Sequence, residues 1–200
     1  MPGVIEPSVW WFDLDRSAIV LGSSQPAEHV DPDACALAGI DIVRRRSGGG
    51  AVLLQPGDAL WVDVLIPSGH PRWTADINSS AWWLGEAWQR ALRTVGVDGT
   101  TVHRGPMIRT PWSAHLCFAG VGGGEVLLGG RKVVGISQRR TRAGARFQCA
   151  LYHVWRPDAH VGLFRQPGPT AEDLEQFVMP VPIAAPVLRQ AFQDGLEPSR

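Results

Sequence analysis

The stretch "RRRSGGGAVLL", residues 44–54, joins three arginines and a serine to a glycine triplet directly before an apolar run. Three successive glycines are poor helix and poor strand material. The chain must therefore turn here, between the apolar "IDIV" before the arginines and the strand that begins at Ala51. Glycines let a backbone approach a ligand closely and aim N–H groups at an anion. Neighbouring guanidinium groups fork onto carboxylate or phosphate oxygens. At the mouth of an apolar strand, such a loop can hold an acidic head group while the strand walls off a hydrophobic tail. From composition alone, a surface arginine cluster beside a glycine-rich turn is an equal reading. The stretch lacks the Gly-Lys-Ser/Thr ending of a Walker loop and the G-x-G-x-x-G of a dinucleotide loop.

The elements around this loop predict one α+β domain over residues 1–200 with a largely antiparallel sheet. "VWWFDLD" and "AIVLGSSQP" read as short strands with a turn at Asp15-Arg16, and "AVLLQPGDALWVDVLIP" as a hairpin with a Pro-Gly-Asp turn. Leu60, Val62, Val64 and Ile66 alternate with Trp61, Asp63 and Leu65, the pattern of two opposite strand faces. "DPDACALAG" reads as a short helix with Asp31 as N-cap and Gly39 as its stop. A longer helix is predicted from Thr74 to Val95, with Ile77, Ala81, Leu84, Trp88, Ala91, Leu92 and Val95 as its core stripe. "SAHLCFAG", "EVLLGG", "RKVVGISQRRTR" and "ARFQCALYHVW" read as strands. "TAEDLEQFV" and "IAAPVLRQAFQ" read as closing helices, the second interrupted by Pro186.

Of 19 Lys plus Arg, 18 are arginine, and Lys132 is the sole lysine. A GC-rich genome accounts for the arginines. It does not account for the one position kept as a compact ammonium rather than a planar fork. Lys132 follows a tight Gly-Gly turn, with Gly135 three residues on, where a missing side chain leaves room for a ligand. Cys117 follows His115 by two residues, so on a strand the pair would share a face and form a thiol–imidazole unit. The plainer reading of Cys117, and of Cys149, is a small buried hydrophobe. Three widely spaced cysteines do not make a disulfide framework and suggest a reduced, cytoplasmic protein. No spacing resembles a metal site. The formal net charge of zero gives no bulk electrostatic reason to expect nucleic-acid or membrane binding. No signal peptide or membrane span is read.

"RRRSGGGAV" and "GRKVVGISQRR" together, with "VLGSSQP" before them, resemble the lipoate–protein ligase and octanoyltransferase family over roughly residues 8–156. The resemblance implies the fold of biotin ligases and class II synthetases, an antiparallel-rich mixed sheet flanked by helices. It implies that Arg45, Ser47, Gly48, Gly49 and Gly50 line the ligand, that Lys132 holds acyl carbonyl or phosphate oxygens, and that Gly135 and Ser137 complete the wall. Burying about seven methylenes of an eight-carbon chain would contribute roughly 5–6 kcal/mol of anchoring. The sequence departs from the family pattern at Leu54 and Asp58, at "CFAGVGGGE" and at Cys149-Ala150, and no C-terminal accessory domain is read.

Three activities are compatible with the resemblance. In the first, the chain adenylates lipoate or octanoate with ATP and Mg²⁺ and passes the acyl group to a lysine of a lipoyl domain, with room for a separate accessory chain. In the second, Cys117 carries octanoate as a thioester without ATP. Some transferases of the superfamily have a Cys-Phe, a Glu and a Gly-Arg-Lys in this region, here Cys117-Phe118, Glu125 and Gly130-Arg131-Lys132. In the third, the chain binds an acyl group or nucleotide without catalysis.

Overall fold

The computed structural model describes residues 6–196. In chain order it contains β1 (Ser8–Phe12), β2 (Ala18–Leu21), α1 (Pro32–Leu37), β3 (Asp41–Arg44), β4 (Val52–Leu54), β5 (Ala59–Pro67) and α2 (Trp82–Thr94). Then come β6 (Thr101–Val102), β7 (Val126–Leu128), β8 (Arg131–Thr141), β9 (Gly144–Tyr152), α3 (Pro157–Val161), α4 (Ala171–Glu175) and α5 (Ala185–Leu196). Six strands form an antiparallel sheet in the order β1-β5-β9-β8-β7-β6, and β3-β2-β4 form a second, mixed sheet in which β2 and β3 run parallel. This is the expected α+β architecture, a largely antiparallel mixed sheet flanked by helices, resolved into two sheets.

The alternation in β5 explains the layering. Leu60, Val62, Val64 and Ile66 pack with Leu84, Trp88 and Phe192 of α2 and α5. Trp61 points the other way and joins Leu53, Leu116 and Phe164 in a second core beneath the small sheet. Trp88 stacks on Phe192 at 4.1 Å and Trp83 meets Phe147 edge-on, so both tryptophans are packing residues. Asp31 caps α1 through Asp33 and Ala34, and Thr170 with Asp173 forms a capping box on α4.

Several local expectations are corrected. β4 does not pair with β5, because both edges of β5 are taken by β1 and β9. The Pro-Gly-Asp turn instead carries the chain from one sheet to the other, and β4 pairs with β2. The predicted strands β1 and β2 likewise fall in different sheets. Residues 74–81 are turns rather than the start of α2, because the Asp76 carboxylate accepts from the backbone N–H groups of Asn78 and Ser79 and from the Ser79 hydroxyl. That local bonding replaces the helical ladder and leaves Ile77 exposed. Pro186 sits in the first turn of α5, where its missing N–H breaks no bond. "SAHLCFAG" is a turn followed by a 3-10 helix at Cys117–Ala119, not a strand. Among the described residues, no helix is long and apolar enough to cross a membrane.

Candidate active site

The glycine loop joins β3 to β4 and lies across the end of the small sheet, against β8 and β9. Arg45 builds it from behind. Its side chain is 6% exposed, and its guanidinium donates to the carbonyls of Val20 at 3.2 Å and of Gly48 and Gly50, both at 2.8 Å. These three bonds to backbone carbonyls shape the loop, while the buried Arg45 Nε has no acceptor among the described residues. Ser47 is also buried, its hydroxyl 2.7 Å from Gln148 Oε1 and 3.0 Å from the Ser137 hydroxyl. Gln148 in turn donates to the fully buried Asp63, which also accepts from Trp61 Nε1 and pairs with Arg146. A polar chain thus ties the loop to the large sheet.

Gly48, Gly49 and Gly50 face a cleft of about 560 Å³ shared with Gln25, Met107, Cys117, Glu125, Lys132, Ile136 and Ser137, among others. Among the described residues, the N–H groups of these three glycines donate to no protein acceptor. Gly49 has φ +100°, and a Cβ there would lie 3.1 Å from Cys117 Sγ and 2.9 Å from Arg45. Gly22 is packed so tightly under the loop that a Cβ would lie 1.8 Å from the Gly49 carbonyl oxygen. Gly49 is therefore required by backbone angle and close approach, and Gly22 by close approach alone.

Lys132 is 1% exposed, which excludes the exposed-hairpin reading. Its Nζ lies 2.7 Å from Glu125 Oε2 and donates to the Cys117 carbonyl at 2.8 Å. Glu125 also accepts from the Gly122 and Ile136 N–H groups. The transferase pattern picks out Glu125 in the sequence, but its pairing with Lys132 is the feature sequence reasoning missed. Met107, Arg109 and His29 also line the cleft, the first two from a loop and His29 from the end of a 3-10 helix at Ala27–His29, none of them marked by a sequence signal.

Cys117 is half-buried, whereas Cys35 and Cys149 are buried, and burial pushes the Cys149 thiol up to about 12. No hydrogen bond joins Cys117 to His115 among the described residues. The His115 ring stacks on His29 at 4.3 Å and meets Trp112 and Phe164 edge-on. Burial, and then His29, lowers its pKa. The charged group fixed on Cys117 is Lys132, not His115. Gly135 is corrected too: the space above it is filled by the Phe118 ring, 3.3 Å from where a Cβ would be.

The family described as lipoyl protein ligase A/B catalytic domain matches residues 4–173. The chain belongs to that family. It is 31% identical over 144 residues to octanoyltransferase LipM of Exiguobacterium sp., covering 69% of this chain and 51% of that protein. It is 27% identical over 136 residues to octanoyltransferase LipM of Clostridioides difficile, covering 68% of this chain and 49% of that protein. The chain spans about half the length of these curated relatives. A lipoate protein ligase of T. acidophilum, solved with bound lipoic acid, superposes with TM-score 0.72 at 22% identity, over 94% of this chain and 70% of that one. The bipartite lipoate protein ligase of Thermoplasma acidophilum, described with its E2 lipoyl domain, gives 0.74 at 21%, over 94% and 69%. These likenesses establish the lipoyl-ligase fold expected from the two motifs.

Among the described residues, Glu125 is the one acid lining the cleft, and both of its oxygens are engaged within the protein. Among the described residues no cluster of His, Cys, Asp or Glu could hold a metal ion. With both oxygens engaged within the protein, Glu125 has no free lone pair aimed at a magnesium–nucleotide complex in this cleft.

Proposed function

We propose that the chain supplies the catalytic part of an ATP-independent octanoyltransferase, which moves an eight-carbon acyl group from a carrier-bound thioester, through Cys117, to a lysine of a lipoyl domain. The observation that carries this reading is the cleft position of Cys117. Its sulfur borders the left-handed Gly49, and its own carbonyl accepts from the buried Lys132 ammonium. The name octanoyltransferase, borne by the curated relatives, favours this route over the adenylate route. A thioester arrives already activated, so no nucleotide is needed.

In the first half-reaction, Cys117 Sγ forms a bond to the thioester carbonyl carbon, the bond to the carrier sulfur breaks, and the carrier thiol leaves with the proton lost by Cys117. In the second, the acceptor amine bonds to the same carbon, the bond to Cys117 Sγ breaks, and the amine proton returns to Cys117. Both steps pass through an oxyanion. The free N–H groups of the glycine loop and the remaining ammonium hydrogen of Lys132 are the donors for it. Ile77, Met107, Ile136 and Ala114 supply apolar wall for the acyl chain.

The test is incubation with octanoyl–acyl carrier protein without ATP, followed by intact mass measurement and addition of a lipoyl domain. An octanoyl adduct that hydroxylamine removes, that Cys117→Ser lacks, and that is consumed by the lipoyl domain is expected. Lipoylation from lipoate and ATP that persists in Cys117→Ser would instead establish the ligase. Binding of either acyl species without turnover would establish the non-catalytic reading.

A further inference from the structure

The second half-reaction poses a proton problem. A lysine amine is an ammonium below its ordinary pKa of about 10.4, and only the free amine bonds to a thioester carbon. Two protons must therefore leave the nitrogen. The thiolate released from the acyl group takes the second. Cys117 cannot take the first, because its sulfur is still acylated when the ammonium arrives. The other titratable side chains lining the cleft are His29, Arg109, Glu125 and Lys132. Lys132 is already an ammonium, held by Glu125 and by the Cys117 carbonyl. Glu125 is occupied by Lys132 and by the Gly122 and Ile136 N–H groups. Arg109 carries a guanidinium, which has no lone pair to offer. His29 remains.

The local geometry prepares this ring for the task. His29 Nδ1 lies 3.3 Å from the Ala114 carbonyl oxygen. A carbonyl only accepts, so the ring proton sits on Nδ1 and Nε2 keeps its lone pair. Among the described residues Nε2 bonds to no protein group, and unlike His115 Nδ1 it is not buried. Glu28 and Asp31 beside it in the chain, Arg109 in the cleft, and Arg165, whose N–H donates to the His29 carbonyl, all leave Nε2 unbonded. The ring stacks on His115 at 4.3 Å. Burial, and then His29, lowers the His115 pKa, so His115 is the member of the stack that stays neutral. The segment from Ala114 to Cys117 is pinned in place. The His115 carbonyl accepts from Gln25 Nε2 at 2.9 Å and from the Ala51 N–H at 2.8 Å, and the Cys117 N–H donates to the Ala51 carbonyl at 2.9 Å.

We propose that His29 is the general base of the second half-reaction, taking the first proton from the acceptor lysine. The proposal rests on the transferase reading above. An N–H bond of the ammonium breaks, its electron pair stays on nitrogen, and the proton joins His29 Nε2. The amine then bonds to the thioester carbon, the bond to Cys117 Sγ breaks, and the second proton goes to the thiolate. The imidazolium returns its proton to water, to which Nε2 is open.

The experiment uses two variants that lack the base but each keep one structural contact. His29→Asn retains an N–H for the Ala114 carbonyl, and His29→Phe retains a ring against His115. Each protein is charged with octanoyl–acyl carrier protein, and loss of the octanoyl adduct to a lipoyl domain or to hydroxylamine is followed by intact mass. Both variants should form the adduct and discharge it to the lipoyl domain about a hundredfold more slowly than the parent. Discharge to hydroxylamine, which arrives uncharged at neutral pH, should match the parent. Free imidazole in the buffer should recover transfer to the lipoyl domain, as should raising the pH toward 10, where water frees the amine. Parent-rate transfer to the lipoyl domain by either variant, or equal losses with both acceptors, would overturn the base. If the parent forms no adduct, the transferase reading fails and the same variants are compared with lipoate and ATP as donor, since an adenylate also needs a free amine. Slowed transfer there supports His29, whereas unslowed transfer, or none by the parent, overturns it.

Discussion

Lys132 Nζ and Glu125 Oε2 stand 2.7 Å apart, with both side chains almost wholly withdrawn from solvent. A buried pair of this kind contributes little net stability, but breaking it leaves a stranded charge. From the sequence, Lys132→Ala is expected to spare the fold. The burial of the pair revises that expectation. Lys132→Ala should lose about 3–5 kcal/mol of stability by urea denaturation as well as transfer activity. The double variant Lys132→Met/Glu125→Gln should return to within about 1–2 kcal/mol of the parent in stability while remaining inactive. Full activity in the double variant would remove Lys132 from the chemistry.

Gly48 and Gly49 should respond differently to alanine. Gly49 combines φ +100° with a virtual Cβ 3.1 Å from Cys117 Sγ, whereas a Cβ on Gly48 meets nothing within 4 Å. Gly49→Ala is expected to cost about 1–2 kcal/mol of backbone strain and to suppress acyl-adduct formation far more than that loss explains. Gly48→Ala should be close to neutral in both measurements. Thermal melts and intact mass on the two variants provide the check.

His160 gives the stability a pH dependence of definite sign. Burial lowers its pKa from 6.5 to about 4, outweighing the Arg156 carbonyl and Asp58, which act the other way. The unfolded chain therefore binds a proton that the folded chain refuses between those values. The contribution is complete above pH 6.5 and is lost as pH falls toward 4, amounting to about 3 kcal/mol. Urea midpoints at pH 4.5, 5.5 and 7 should fall toward acid in the parent. They should fall less steeply in His160→Phe.

The three cysteines should separate cleanly by reactivity. Cys35 and Cys149 are buried, and the Cys149 thiol is pushed up to about 12, while Cys117 borders the cleft. Brief treatment of the native protein with iodoacetamide should label Cys117 alone, as read by peptide mass mapping. Labelling of all three under urea is the control.

The sequence by itself determined the two faces of β5, the Asp31 cap of α1, and the paired motifs that identify the family, because these depend on local periodicity, local hydrogen bonding and residue identity. It also singled out Lys132 and Cys117. Tertiary structure alone decided that β4 and β5 lie in different sheets, since a Pro-Gly turn looks the same whether it closes a hairpin or crosses between layers. It alone decided that Arg45 donates from its two terminal nitrogens to the Val20, Gly48 and Gly50 carbonyls, and that Phe118 closes the space over Gly135. Above all, it set Glu125 against Lys132 and turned His115 away to His29. Partners of a buried charge come from separate segments, and which of them meet is fixed by the packing of the sheets rather than by spacing along the chain.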